Sequence, residues 1–125
     1  MKLRYARHTD QLAALTHFYT ELLGLNNLGG FSGHNGYDGI FLGKADLPWH
    51  LEFTTSDHTA DHKPDADDVL VFYFPSKGEL DQVLERLEKA GQRPVKSRNP
   101  YWNENAIEFT DPDGFGVVLL VDPML

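Results

Sequence analysis

The amino-acid sequence predicts an α+β fold built from two copies of one βαβββ module. Each half of the chain reads as a strand, a helix that ends at a glycine, and then paired strands. The spacing also matches, because Gly24 to Glu52 spans 28 residues and Gly91 to Val118 spans 27. One module alone would leave a sheet face bare, so we expect the two modules to pack together in a single domain.

The first module is predicted over residues 1–55. A short strand covers Arg4–Arg7, and Asp10 or Thr9 is placed to cap the helix that follows. The helix is indicated by apolar residues at helical spacing, namely Leu12, Leu15, Phe18, Tyr19, Leu22 and Leu23. A glycine-rich loop leads into a further strand over Tyr37–Leu42.

The last strand of the first module alternates in character. Trp49, Leu51 and Phe53 are expected to point to one face of the sheet, and His50 and Glu52 to the other.

The second module is predicted over residues 68–125, after a polar, aspartate-rich linker at 56–67. Val69–Phe74 has the composition of a strand. Ser76 and Glu79 form a capping box at the start of the next helix.

Two final strands are predicted, over residues 106–110 and 117–121. The turn Asp111-Pro112-Asp113-Gly114 joins them, because proline presets φ and glycine permits a positive φ.

Composition excludes several classes of protein. The formal net charge of −8 repels phosphate backbones, so no nucleic-acid partner is expected. No apolar run approaches the ~20 residues of a membrane span, so no membrane partner is expected either. The chain has no cysteine, which excludes disulfides and thiolate metal sites. A cytoplasmic location fits these properties.

Three motifs in order make the chain resemble the vicinal oxygen chelate superfamily of glyoxalases, extradiol dioxygenases and bleomycin-resistance proteins. They are Phe18-Tyr19 with Leu23-Gly24-Leu25, the strand His50-Leu51-Glu52-Phe53, and the segment Phe109–Gly114 with its following strand. The resemblance covers nearly the whole chain. It implies that the strands curl into a half-open barrel around a pocket, with the helices outside, and that the protein is a homodimer.

Metal-using members of this superfamily take one ligand from the first strand and one from the last strand of each module. Carried onto this chain, those positions are Arg4, Glu52, Val69 and Val118. Only Glu52 is a ligand type, whereas a catalytic metal typically needs three protein ligands. We therefore expect no cofactor at the superfamily position, and a pocket with one charged end and one apolar end.

Arg4 is expected to take the place of the metal. Its guanidinium can neutralise an inward-facing Glu52 carboxylate through hydrogen bonds. In the alternative arrangement, Arg4 extends outward and Glu52 contacts water.

Histidines keep a divalent metal possible at a different place. By alternation, His8 shares the face of Arg4, and His50 shares the face of Glu52. His8, His50 and Glu52 are thus an alternative metal set for a lyase or dioxygenase of the glyoxalase/dioxygenase type. Without a metal, His50 or Glu52 is the candidate base of an isomerase or lyase, and a polar pocket wall is the simpler alternative.

The favoured function is binding of a small organic molecule in the pocket, as in bleomycin-resistance proteins. The predicted polar ligand-binding residues are Arg4, His50 and Glu52, and the predicted apolar ones are Tyr73, Tyr101 and Trp102. Tyr101 and Trp102 are equally suited to a subunit interface, where aromatic residues are enriched.

Overall fold

The computed structural model describes residues 1–123 of the chain. Met124 and Leu125, the end of the predicted second module, lie outside the described residues. The chain divides into two compact units, residues 1–62 and the residues from Lys63 onward. Both have a βαβββ-like order of elements, so the predicted α+β fold class is confirmed. No helix among the described residues is long and apolar enough to cross a membrane.

The first unit contains a four-stranded sheet in the order β1-β4-β3-β2. Its strands are β1 (Leu3–His8), β2 (Asn26–His34), β3 (Tyr37–Gly43) and β4 (Trp49–Thr55). β1 pairs with β4 in parallel, and the other pairs are antiparallel. Between β1 and β2 the chain forms helix α1 (Leu12–His17), which continues as a π-helical turn over Phe18–Leu22.

The helical segment of the first unit supplies its core. Tyr19 stacks on Phe53 of β4 with ring centroids 5.2 Å apart, and Leu15 and Leu51 are buried with them. The alternation predicted for β4 is therefore correct. Its apolar side chains lie under the helix, and the opposite face of the sheet carries His50 and Glu52.

The predicted cap of α1 is wrong. No side chain caps this helix at Gln11. Thr9 Oγ1 instead accepts a hydrogen bond from the Gln11 amide, and Asp10 Oδ1 accepts one from the amide of Ala60. Both short side chains thus satisfy backbone groups outside the helix, and Asp10 ties the linker to the end of β1.

The glycine-rich segment of the first unit is a strand, β2, rather than the predicted loop. A hairpin turn joins it to β3 at Asn35 and Gly36, which both have positive φ. Gly39 of β3 leaves room for the ring of Phe31, since a Cβ there would lie 2.5 Å from that ring.

The second unit contains a three-stranded sheet in the order β5-β7-β6. Its elements are β5 (Val69–Phe74), α2 (Lys77–Lys89), α3 (Tyr101–Asn105), β6 (Ile107–Thr110) and β7 (Gly116–Val121). The predicted capping box is confirmed, because Ser76 Oγ accepts a 3.2 Å hydrogen bond from the Glu79 amide. In the turn between β6 and β7, Asp111 Oδ1 accepts from the amides of Asp113 and Phe115.

The second unit departs from its predicted pattern between α2 and β6. A full strand is reduced there to one bridge, in which the Val95 amide donates to the Glu108 carbonyl. Pro94 and Pro100 flank this stretch, and proline has no amide hydrogen to continue a ladder. Tyr101 and Trp102 lie in the short helix α3.

Candidate functional site

Three of the predicted polar residues lie together on the sheet of the first unit. Arg4 of β1 is directly opposite His50 of β4, and its Nε donates a 2.9 Å hydrogen bond to His50 Nε2. A terminal nitrogen of Arg4 also lies 3.9 Å from Glu52 Oε1. The charges of Arg4 and Glu52 are thus paired, but at 3.9 Å the pair lacks the hydrogen bonds that were expected between them.

An aromatic side chain that the sequence analysis missed supports this group. Phe41 of β3 is directly opposite Glu52, and the Arg4 guanidinium lies 4.7 Å from the centroid of its ring. The ring also meets the His50 imidazole edge-on at 5.9 Å. Alternation along Tyr37, Gly39 and Phe41 could have placed it on this face. Arg4, Phe41, His50 and Glu52 are called the Arg4 cluster below.

The Arg4 cluster does not fit the metal set of the superfamily. An arginine guanidinium stays protonated and cannot coordinate a cation. The Nε2 lone pair of His50 accepts a hydrogen bond from Arg4, and the carboxylate of Glu52 faces the same positive charge. Among residues 1–123 no group of three or more His, Cys, Asp or Glu side chains is arranged to hold a metal ion.

The alternative metal set is also not assembled among residues 1–123, because His8 lies far along β1 from the partner of His50. His8 is opposite Thr54, four residues along β1 from Arg4, which is about 13 Å at the rise of a strand. Its Nε2 shares a 2.9 Å hydrogen bond with Ser56 Oγ, and its ring meets Tyr37 edge-on. The prediction that His8 joins His50 and Glu52 is therefore wrong.

The linker histidine His62 lies against the end of β1. Its Nε2 donates a hydrogen bond to the backbone carbonyl of His8. Together with Asp10 and Ser56, it holds residues 56–62 against the end of β1.

The predicted apolar residues of the second unit are accessible. Tyr73 lies on the same face of β5 as Val69 and is 55% exposed. Tyr101, in α3, is 70% exposed, and its ring meets that of Trp102 edge-on at 4.9 Å. These positions give each ring a free surface.

A carboxylate that the sequence analysis did not single out lies in the second unit. Glu108 of β6 is opposite Val118 of β7, just as Phe41 is opposite Glu52 in the first unit. It is only 8% exposed, and Ser97 Oγ donates a 2.7 Å hydrogen bond to its Oε1. The sheet face that bears Val69 and Val118 is therefore not wholly apolar, contrary to expectation. Alternation along Ile107, Glu108 and Phe109 could have shown this.

Comparison with known proteins agrees with the two-module fold. The sequence profile of the YycE-like N-terminal domain matches residues 3–54, and that of the YycE-like C-terminal domain matches residues 67–121. The protein YycE of Bacillus subtilis strain 168 is 40% identical over 120 residues, which cover 95% of this chain and 86% of YycE.

Solved structures extend the comparison. A 2.0 Å crystal structure of a YycE protein of unknown function from Bacillus subtilis superposes with a TM-score of 0.87 at 41% identity, covering 97% of this chain and 89% of that one. The trypanothione-dependent glyoxalase I of Leishmania major superposes with a TM-score of 0.76 at 20% identity, covering 99% of this chain and 88% of that one. TnmS3, an antibiotic-binding protein of Streptomyces sp. CB03234, superposes with a TM-score of 0.68 at 19% identity, covering 97% of this chain and 94% of that one. The last two likenesses concern the fold alone. The chain therefore belongs to the YycE-like family, within the vicinal oxygen chelate superfamily.

Proposed function

We propose that this protein binds a small organic molecule through Arg4, His50 and Glu52, without a metal ion at the superfamily position. The observation that carries the proposal is the hydrogen bond from Arg4 Nε to His50 Nε2, combined with the ion pair to Glu52. Together, these two contacts engage His50 and Glu52, which are the only side chains of the Arg4 cluster that could coordinate a metal ion. A guanidinium thus replaces the metal as the positive charge of the site.

Arg4 retains donors for a ligand. The guanidinium has five N–H groups, of which the Nε–H is used by His50. The Arg4 side chain is 51% exposed, so its terminal nitrogens are accessible. Their N–H groups can donate a pair of hydrogen bonds to a carboxylate, phosphonate or carbonyl oxygen of a ligand.

Phe41 and His50 prepare Arg4 for this role. The guanidinium lies over the Phe41 ring and is joined to the imidazole, so its orientation is fixed before a ligand arrives. Less rotamer freedom is then lost on binding, which favours affinity.

We also propose Tyr73, Tyr101 and Trp102 as apolar contacts of the ligand; Tyr73 and Tyr101 are exposed, and Trp102 is partly buried. Their support is the accessible surface of their rings and the usual make-up of small-molecule sites, in which apolar walls surround a few polar anchors. The ligand class is therefore an amphipathic organic molecule with an oxygen-bearing polar end and an apolar body.

The superfamily hosts both enzymes and binding proteins, so the fold alone does not choose between them. TnmS3, which has a similar fold, is an antibiotic-binding protein, and this supports binding as the proposed function. We also propose a homodimer, as the superfamily resemblance implies, and a cytoplasmic location, which the absence of cysteine fits. Analytical ultracentrifugation of the untagged protein tests the dimer.

A thermal-shift screen of metabolites and antibiotics tests the proposed function. It is run in the presence of a chelator, so that every hit is independent of added metal. A ligand at 100 times its dissociation constant stabilises the folded state by about 2.7 kcal/mol, which such a screen detects. We expect hits that carry an anionic or carbonyl group next to an apolar body.

Variants assign each hit to the proposed site. Arg4→Met is expected to weaken binding strongly, whereas Arg93→Met, at an exposed arginine of the second unit, leaves it unchanged. Tyr73→Ala and Tyr101→Ala are expected to weaken binding in smaller steps. Hits that bind Arg4→Met as tightly as the unaltered protein would contradict the proposal, as would a screen that yields hits only when a divalent metal replaces the chelator.

A further inference from the structure

The first unit has a groove on the helix side of its sheet, away from the Arg4 cluster. The groove lies between the helical segment of α1 and its π-helical turn on one side and the β2–β3 hairpin on the other, and its volume is about 820 Å³. This volume is within the range of small-molecule sites, about 300–1,000 Å³. The proposed function does not use this groove.

Missing side chains on the hairpin keep the groove open. Gly29 of β2 has a φ of 125°, and a Cβ there would meet no atom within 4 Å, so it would project into open space. Gly30 is opposite Ile40 of β3, and a Cβ at Gly30 would collide with the carbonyl oxygen of Gly39. The wall that β2 contributes is therefore bare backbone at both positions.

The helical wall of the groove is apolar along its middle. Thr16 Oγ1 donates a 2.7 Å hydrogen bond to the carbonyl of Leu12, and Thr20 Oγ1 donates a 2.6 Å hydrogen bond to the carbonyl of Thr16. Both hydroxyl protons are thus used by the backbone one turn earlier. Ala13 and Ile40 line the groove together with these threonines, so this stretch suits the methylene groups of a ligand.

The carboxylates of the groove are available to a cation. Glu21 and Asp38 line it, and no lysine or arginine of residues 1–123 does. Neither carboxylate forms an ion pair with a residue that the structure describes. Asp38 Oδ1 accepts hydrogen bonds from Ser32 Oγ and the Gly33 amide, which leaves Oδ2 for a ligand. The remaining ionisable residue of the lining is His17, which is exposed.

The two carboxylates lie toward opposite ends of the groove. β2 begins at Asn26, shortly after Glu21, whereas Asp38 is bonded to Ser32 near the other end of β2. Asn27 and Ser32 both line the groove, and the strand between them is about 16 Å long. A ligand that reaches both acids must therefore be long, with a cation at each end and hydrocarbon between them.

We propose that this groove binds a linear aliphatic polyamine. One terminal ammonium group pairs with Asp38 and the other with Glu21, while the methylene chain lies along Thr16 and the bare backbone of Gly30. The formal net charge of −8 favours the approach of such a cation. The Arg4 cluster is on the other face of the sheet, so either proposal can fail while the other stands.

The test is a titration of the isotope-labelled full-length protein followed by amide NMR shifts. Spermidine is the long probe, putrescine the short diamine and magnesium chloride the inorganic dication. We expect spermidine to give saturable shifts at the amides of Thr20, Gly29 and Gly30. Putrescine is too short to reach both carboxylates and should bind more weakly there, and magnesium should give no saturable shifts at these amides.

Charge variants separate the groove from the overall acidity of the chain. The double variant Glu21→Gln/Asp38→Asn should weaken spermidine binding about tenfold, as expected for the loss of two accessible ion pairs. Asparagine retains the Oδ1 acceptor for Ser32 and the Gly33 amide. Asp46→Asn/Asp61→Asn is the matched control, because it removes the same charge at exposed positions outside the groove and should leave binding nearly unchanged.

A second pair of variants tests the shape of the groove. Ala13 and Ala14 are both exposed on α1, but only Ala13 lines the groove. Ala13→Trp should fill the groove and abolish spermidine binding, whereas Ala14→Trp should leave it unchanged.

Four outcomes would overturn the proposal. They are the absence of saturable spermidine shifts at these amides, putrescine or magnesium binding as tightly as spermidine, equal weakening by the two charge variants, and undiminished binding by Ala13→Trp. If a variant does not fold, the comparison of the three probes on the unaltered protein still decides.

Discussion

Arg4 and His50 face each other across the parallel pair β1–β4, and Arg4 Nε donates a 2.9 Å hydrogen bond to His50 Nε2. This contact engages His50, the one histidine of the Arg4 cluster, while Arg4, Val69 and Val118 stand at three of the four superfamily metal positions and cannot coordinate an ion. The proton on Arg4 occupies the lone pair with which His50 would coordinate. The same guanidinium balances the charge of Glu52.

Replacing Arg4 by a ligand residue should therefore create metal affinity. In Arg4→His, His50 Nε2 is released, and the new imidazole joins His50 and Glu52 on adjacent strands. Three such ligands with an open position suit zinc. We expect zinc to raise the melting temperature of this variant but not that of the unaltered protein. The effect should be lost in the double variant Arg4→His/Glu52→Gln. Equal stabilisation of the unaltered protein by zinc would show that Arg4 does not block a metal.

Gly116 is predicted to be intolerant of any side chain. Gly116→Ala places a Cβ within 3 Å of Val69 Cγ1 and Glu108 Oε2. Such overpacking typically costs about 1–3 kcal/mol of unfolding free energy. Gly78→Ala, in α2, is the control, because the nearest atom to its new Cβ is 3.9 Å away. This control should stabilise by about 0.5–1 kcal/mol. Urea unfolding measures both variants, and equal stability of the two would refute the close packing around Gly116.

The cap of α2 gives a third prediction. Ser76→Ala removes the acceptor for the Glu79 amide and should lower the free energy of unfolding by about 1 kcal/mol. Ser76→Asp retains an acceptor at the same place and should restore most of the loss. An unchanged denaturation midpoint in Ser76→Ala would mean that this cap contributes nothing to stability.

Local patterns in the sequence were sufficient for much of the fold. The capping box at Ser76, the turn at Asp111 and the alternation of β4 depend on neighbouring residues, and the structure has each of them. Gly24 and Gly91 end their helical segments with positive φ. The βαβββ order followed from these signals and from their repeated spacing.

The predictions that were wrong depend on contacts between residues far apart in the chain, or on chain geometry, which local sequence patterns do not show. Asp10 is a good helix cap by type, but the amide of Ala60, far along the chain, takes its oxygen. The second strand of the second module was expected by analogy with the first, yet Pro94 and Pro100 interrupt its ladder. His8 lies on the same face of β1 as Arg4, as alternation predicted. Alternation fixes the face on which a side chain lies but not its distance along the strand from the site.

Only part of the candidate site could be predicted from the sequence. Arg4 and Glu52 were paired by carrying over the strand positions of the superfamily. Phe41 and Glu108 were missed because both lie on neighbouring strands, and their places depend on the register of β3 with β4 and of β6 with β7. Register becomes visible only when the hydrogen-bonded pairs are known.

A measurement of metal content tests the central claim most directly. The protein is untagged, is purified without metal-affinity steps and is dialysed against zinc, nickel, manganese or iron. That claim is that Arg4 replaces the metal of the superfamily. We predict far less than one metal ion per chain, in the unaltered protein and in His50→Ala alike. One tightly held ion per chain that is lost in His50→Ala would contradict the claim.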